Sequence, residues 1–89
     1  MRAVVTVIGR DREGIIARVS EVLWKRNINI LDIAQNVLSD VFAMIMLVNL
    51  EKSTADITDI KHALDELGEE IGVKIVVMHE DIFNSMHRI

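Results

Sequence analysis

Val7-Ile8-Gly9-Arg10-Asp11-Arg12-Glu13-Gly14-Ile15 is an apolar run that breaks into a charged, glycine-bounded turn and then resumes. Beyond it Ile15, Val19, Val22 and Leu23 recur at i, i+4, i+7 and i+8, one stripe of an α-helix. Asn27-Ile28-Asn29 closes the segment. The turn is therefore held between a strand and a helix. The N–H groups of the first helical turn have no intrahelical acceptor and carry the positive end of the helix dipole, and they point back into that turn. A small anionic group such as a carboxylate can dock on a helix start of this kind. The segment predicts the place where the chain meets a small molecule.

Outward from this segment the patterns are short and well bounded. Ala3 to Ile8 is rich in β-branched residues and reads as a strand. The first helix is expected from about Gly14 to Arg26, with Lys25 and Arg26 in its last turn, where cations suit the dipole. Ile30 to Val37 reads as a second strand, with Leu31 and Ile33 on one face and Asp32 on the other. Ser39-Asp40 supplies turn residues, and Val41 to Leu50 is a third strand, apolar on both faces. Ser53 is the expected cap of a second helix, with Asp56 three residues on as in a capping box. The stripe of that helix is Ile57, Ile60, Leu64, Leu67 and Ile71, with Gly72 as its stop and Gly68 as a point of earlier fraying. Val73 to Met78 forms a fourth strand. A short terminal helix would put Ile82, Phe83, Met86 and Ile89 on one side.

The order is βαββαβ. Connection rules turn it into an α+β, ferredoxin-like arrangement: a four-stranded antiparallel sheet, two helices on one face, and a short C-terminal helix. Strands one and three should be central. In strand three Val41, Ala43, Ile45 and Leu47 share one face and Phe42, Met44, Met46 and Val48 the other, and helices can cover only one of them. The uncovered apolar face predicts a homodimer. We assign Phe42, Met44, Met46 and Val48 to the dimer interface.

Composition narrows the classes. Eighty-nine residues suit one domain over 1–89, with a core at 3–78 and an extension at 79–89. The hydrophobic fraction of 51% is high, yet no apolar run approaches the ~20 residues that span a bilayer. Met1-Arg2-Ala3-Val4 leads straight into a strand pattern, unlike a signal peptide. The absence of cysteine excludes disulfides and thiolate metal sites, and a cytoplasmic location is expected. A net charge of −4 speaks against nucleic acid. An RNA-binding sheet of this shape needs aromatics on strands one and three, and only Phe42 is available. A metal-chaperone domain needs a CxxC where this chain has Asp11-Arg12-Glu13-Gly14. Gly9 and Gly14 have the spacing of a phosphate loop, but Ile15 and Ile16 stand in place of its Lys and Ser/Thr. No catalytic constellation can be assembled, so the chain is not expected to be an enzyme, and no cofactor is expected.

Taken together, Asp11-Arg12-Glu13-Gly14-Ile15 followed by Asn27-Ile28-Asn29-Ile30, in this element order, resembles an ACT domain. The resemblance covers Ala3 to about Met78. The tail from Glu80 to Ile89 is similar to that of small stand-alone ACT proteins of bacteria and archaea. These in turn resemble the ACT modules of regulators of the glycine cleavage system repressor type. The resemblance implies a ligand-responsive module that binds an amino acid at a dimer interface. It further implies that the backbone at Gly14 and Ile15 meets the ligand carboxylate, and that Asn29, together with Asp11, holds the amino group. The alternative is a structural or protein-interaction subunit that keeps the dimer scaffold without a ligand.

Each residue also has a plainer role open to it. Gly14 can serve only a tight turn, and Asp11 can be an ordinary N-cap. Asn27 fits the αL residue that ends a helix, whereas capping needs no second Asn, which leaves Asn29 for a ligand. His62 lies off the apolar stripe. His79, Glu80, Asp81 and His87 are metal-capable without regular ligand spacing, so no metal site is assigned. Trp24 borders the helix stripe and suits packing or an interface; Met44, Met46 and Met78 suit core or interface.

Overall fold

A computed structural model describes residues 1–10 and 13–86 of the chain, in the order β1 (Arg2–Arg10), α1 (Ile15–Lys25), β2 (Asn29–Leu38), β3 (Val41–Asn49), α2 (Ile57–Ile71), β4 (Val73–His79) and α3 (Glu80–Met86). Among the described residues the strands form one antiparallel sheet, ordered β2-β3-β1-β4. The strands apolar on both faces, β1 and β3, are central as expected. This is the ferredoxin-like arrangement with an added C-terminal helix.

Register decides which face the helices take. Val5 is opposite Met46 and also opposite Val77, so Ala3, Val5 and Val7 share a face with Met44, Met46 and Val48 and with Val73, Ile75 and Val77. That face is sealed by Ile15, Val19 and Leu23 of α1 and Ile60, Leu64 and Leu67 of α2, which join it in one buried cluster. The assignment of Phe42, Met44, Met46 and Val48 to a dimer interface is thereby corrected. They are 5%, 0%, 0% and 1% exposed, inside the core of a single chain. The face left open carries Ile8, Val41, Ile45 and Val76 instead. The molecule is only 19 Å across its thinnest direction, the depth of one sheet and one helical layer.

Two glycines allow the layers to close. A Cβ on Gly68 would sit 2.7 Å from the Val73 carbonyl oxygen, and one on Gly9 would sit 2.6 Å from Val73 Cγ1. Helix α2 runs through Gly68 without fraying because that glycine is buried where the helix approaches β4. It ends at Gly72, whose φ of 74° is the left-handed cap expected there. At its start the cap is Asp56, whose carboxylate accepts from the Asp59 N–H at 2.9 Å. Ser53, expected in that role, instead exchanges hydrogen bonds with the Ala55 backbone, its hydroxyl donating at 2.7 Å and accepting at 3.1 Å. Asn27 takes φ 58° after α1, as a helix-ending αL residue does, and its side-chain amide donates to the Lys52 carbonyl.

Strand β2 departs from simple alternation. Ile30 is opposite Val48 and Asp32 opposite Leu47, so Leu31 is an extra residue forming a β-bulge. Ile30, Ile33 and Val37 then face the helical side; Ile30 packs against the core, but α1 does not reach over the other two: Ile33 is 43% and Val37 48% exposed. The second strand is thus an overhang rather than a core strand. At the far end α3 lies against β1 and β4, tied by an ion pair from Arg2 to Glu80, whose hydrogen bond raises the guanidinium above its ordinary pKa. Residue Ile89, expected on that helix, lies outside the described residues. No helix among the described residues is long and apolar enough to cross a membrane.

Candidate ligand site and subunit seam

The turn that opened the sequence analysis leads into α1 through Gly14. Its φ is 82° and its ψ 1°, a backbone shape that L side chains rarely adopt. With glycine as N-cap there is no side-chain cap, so the first-turn N–H groups stay available to a ligand. The Gly14 carbonyl accepts from Arg18 N–H at 2.9 Å, which starts the helix ladder. Gly14 is exposed while Ile15 turns inward at 3% exposure, so Ile15 can offer only backbone. Asp11 lies outside the described residues. A small cleft of about 260 Å³ opens at Gly14, and Arg18 lines it, hydrogen-bonded to Glu70 at 2.6 Å. Arg18 went unremarked in the sequence. The signal was its place four residues after Gly14, which puts it on the same side of the helix.

Asn29 stands elsewhere. It opens β2 opposite Asn49, which is itself opposite Arg2 at the beginning of β1, whereas Gly14 follows the end of β1. A strand of nine residues spans about 30 Å, so within one chain Gly14 and Asn29 do not meet. Asn29 instead shares clefts with Trp24: two, of about 530 and 560 Å³, are each lined by Trp24, Ile28 and Asn29. Trp24 is 76% exposed, which removes packing within this chain as its role.

The apolar surface that invites a partner also differs from the one expected. On α1, Ile16, Ser20 and Trp24 form an outward stripe at four-residue spacing, with Ile16 39% exposed. Beside it lies the helical-side overhang of β2. Together Ile16, Trp24, Ile33 and Val37 form an apolar shelf, interrupted by Ser20 and Gln35, along an unpaired sheet edge. Among the metal-capable residues of the tail, Glu80 is engaged by Arg2, and His79 Nδ1 accepts from the Asp81 N–H at 3.0 Å. His87 lies outside the described residues. Among those described, no group of three or more His, Cys, Asp or Glu is placed to hold a metal ion.

Comparison with known proteins points one way. The ACT domain family profile matches residues 2–78. A UPF0237 protein of Methanocaldococcus jannaschii is 52% identical over 88 residues, covering 99% of this chain and 98% of its own length. An ACT domain protein from Streptococcus pneumoniae superposes with a TM-score of 0.81 at 35% identity, covering 93% of both chains. A structure described as a glycine cleavage system transcriptional repressor follows at TM-score 0.76 and 26% identity, covering 86% of this chain and 44% of that longer one.

Proposed function

The chain belongs to the ACT domain family, and from that premise we propose that it is a regulatory module that binds an amino acid as a homodimer, with no catalysis of its own. The observation that carries this reading is the unpaired edge of β2 with its apolar shelf. Two copies joined antiparallel through β2, about a two-fold axis, would each cover the other's shelf. Because the pairing is antiparallel, the start of β2 in one copy comes to the end of β2 in the other. That end, through Leu38, Val41 and Arg10, is the end of the sheet from which Gly14 follows. Asn29 of one copy thus approaches the α1 start of the other, although the two residues lie far apart in one chain. The helix start takes the carboxylate and the Asn29 carboxamide oxygen the ammonium group.

Melting curves with a panel of the common amino acids test the reading. A ligand at 100 times its Kd adds about 2.7 kcal/mol of stability by linkage. Light scattering should give twice the chain mass of 10.1 kDa, and Ile33→Lys, a charge placed on the shelf, should give monomers that remain folded. A panel that leaves the curve unmoved rejects amino-acid sensing, and a wild-type monomer rejects the shared site. The open sheet face bearing Ile8, Val41 and Ile45 favours a second reading, a protein-interaction subunit, which predicts a dimer indifferent to the whole panel.

A further inference from the structure

The groove between α1 and the start of β2 has a chemistry of its own. Trp24 stands over it, its indole N–H without a hydrogen-bond partner among the described residues. Its apolar wall is Ile28 and Ile30. Asn29 lines the same groove, and its side-chain amide is likewise without a partner among the described residues. Asn27 is different, its amide being committed to the Lys52 carbonyl. The adjoining cleft is rimmed by Glu51 and Lys52, one charge of each sign, and neither is ion-paired to another described residue. An indole face, an aliphatic wall, a free amide and a balanced pair of charges suit one kind of guest.

We propose that the amino acid taken by this module carries a large apolar side chain, aromatic or branched aliphatic, which lies against Trp24 and Ile30. The proposal rests on the reading above and names its ligand class. A wide aromatic side chain buries its own area and that of the exposed indole, and offset stacking adds to this. Glycine or serine would leave both wet. Aspartate or lysine would bring a second charge into a cleft that is already balanced, beside apolar walls that cannot solvate it.

The chain contains a single tryptophan and no tyrosine, so Trp24 emission reports on this groove alone. The full-length protein is titrated with L-phenylalanine, L-leucine, L-serine, glycine, L-aspartate and L-lysine, following fluorescence excited at 295 nm and, separately, the melting temperature. Phenylalanine and leucine are expected to shift the emission to shorter wavelength and raise the melting temperature, with the polar and charged amino acids doing neither. Trp24→Ala should weaken the phenylalanine effect on melting about tenfold or more in Kd, and Trp24→Phe should restore most of it. Stabilisation by serine, glycine or a charged amino acid, with Trp24 emission unchanged, overturns the ligand class and leaves the sensing reading standing. No response to phenylalanine or leucine overturns the ligand class, and silence extending to the whole panel of common amino acids overturns both. Stabilisation by phenylalanine or leucine with Trp24 emission unchanged puts the apolar side chain elsewhere and overturns the proposal.

Discussion

Replacing Gly14 by alanine isolates one backbone angle. The native φ of 82° lies in the left-handed region, and a Cβ built there meets nothing within 4 Å among the described residues. Packing therefore contributes no cost, and the whole effect is conformational. A left-handed residue with a Cβ costs roughly 1–2 kcal/mol, while alanine returns about 0.4–1 kcal/mol by restricting the unfolded chain. The net loss is about 1 kcal/mol, which in a domain of this size lowers the melting temperature by about 4–8 °C. Gly14→Asn should lose less, because asparagine enters this region more readily. Urea unfolding followed by circular dichroism, at one protein concentration so that the proposed dimerisation would weigh equally on each, measures both variants. The amino-acid stabilisation proposed above should shrink in Gly14→Ala as well, since the N–H groups it would lean on are reset. A variant as stable as the parent, or more so, means that the turn relaxes out of the left-handed shape, and the helix start is then not the rigid cradle proposed.

Three further outcomes are expected. Gly68→Ala should destabilise although helix propensity alone would add about 1 kcal/mol, because its Cβ would press on the Val73 carbonyl oxygen at 2.7 Å and overpacking costs about 1–3 kcal/mol; a higher urea midpoint would show that α2 lifts freely from β4. Met46→Ala, at 0% exposure, should cost about 2–5 kcal/mol, and Ile45→Ala, at 42%, clearly less; the reverse ranking in urea melts would return the open face to the one carrying Met46. Asp56→Ala should cost about 0.5–2 kcal/mol by leaving the Asp59 N–H uncapped, with Asp56→Asn recovering most of it; equal midpoints for Asp56→Ala and the parent would remove the cap from the account.

Much of the fold was legible because local signals agreed with one another. The stripe from Ile57 to Ile71 and the left-handed residues Asn27 and Gly72 bounded the helices, and the doubly apolar β3 marked a central strand. What could not be read was which face of β3 the helices cover, since each face offers four apolar residues. That choice belongs to pairing. In β1 the face shared by Arg2, Thr6 and Arg10 is the polar one, and in β4 Lys74 sides with it, but these hints become decisive only once the register to β3 is known. Capping misled for a similar reason: Ser53 and Asp56 both suit a helix start, and the winner is the residue whose oxygen reaches a free N–H. The strand-to-helix turn at Gly14 was legible; its relation to Asn29 was not, because Asn29 lies at the opposite end of the sheet. Trp24 was underrated since helical spacing places it at a border and says nothing of the short reach of α1 over β2.

The extra residue in β2 bears on a hazard that every bare strand edge presents. A flat, regular border can recruit copy after copy into a growing ribbon. With Leu31 inserted, the strand is kinked at one place and cannot slide past a mate without losing the fit. In the two-fold pairing proposed above, both kinks would be accommodated together and the β2 edge of each copy would be used up. A single surplus residue would thereby set the register at which that edge accepts a mate.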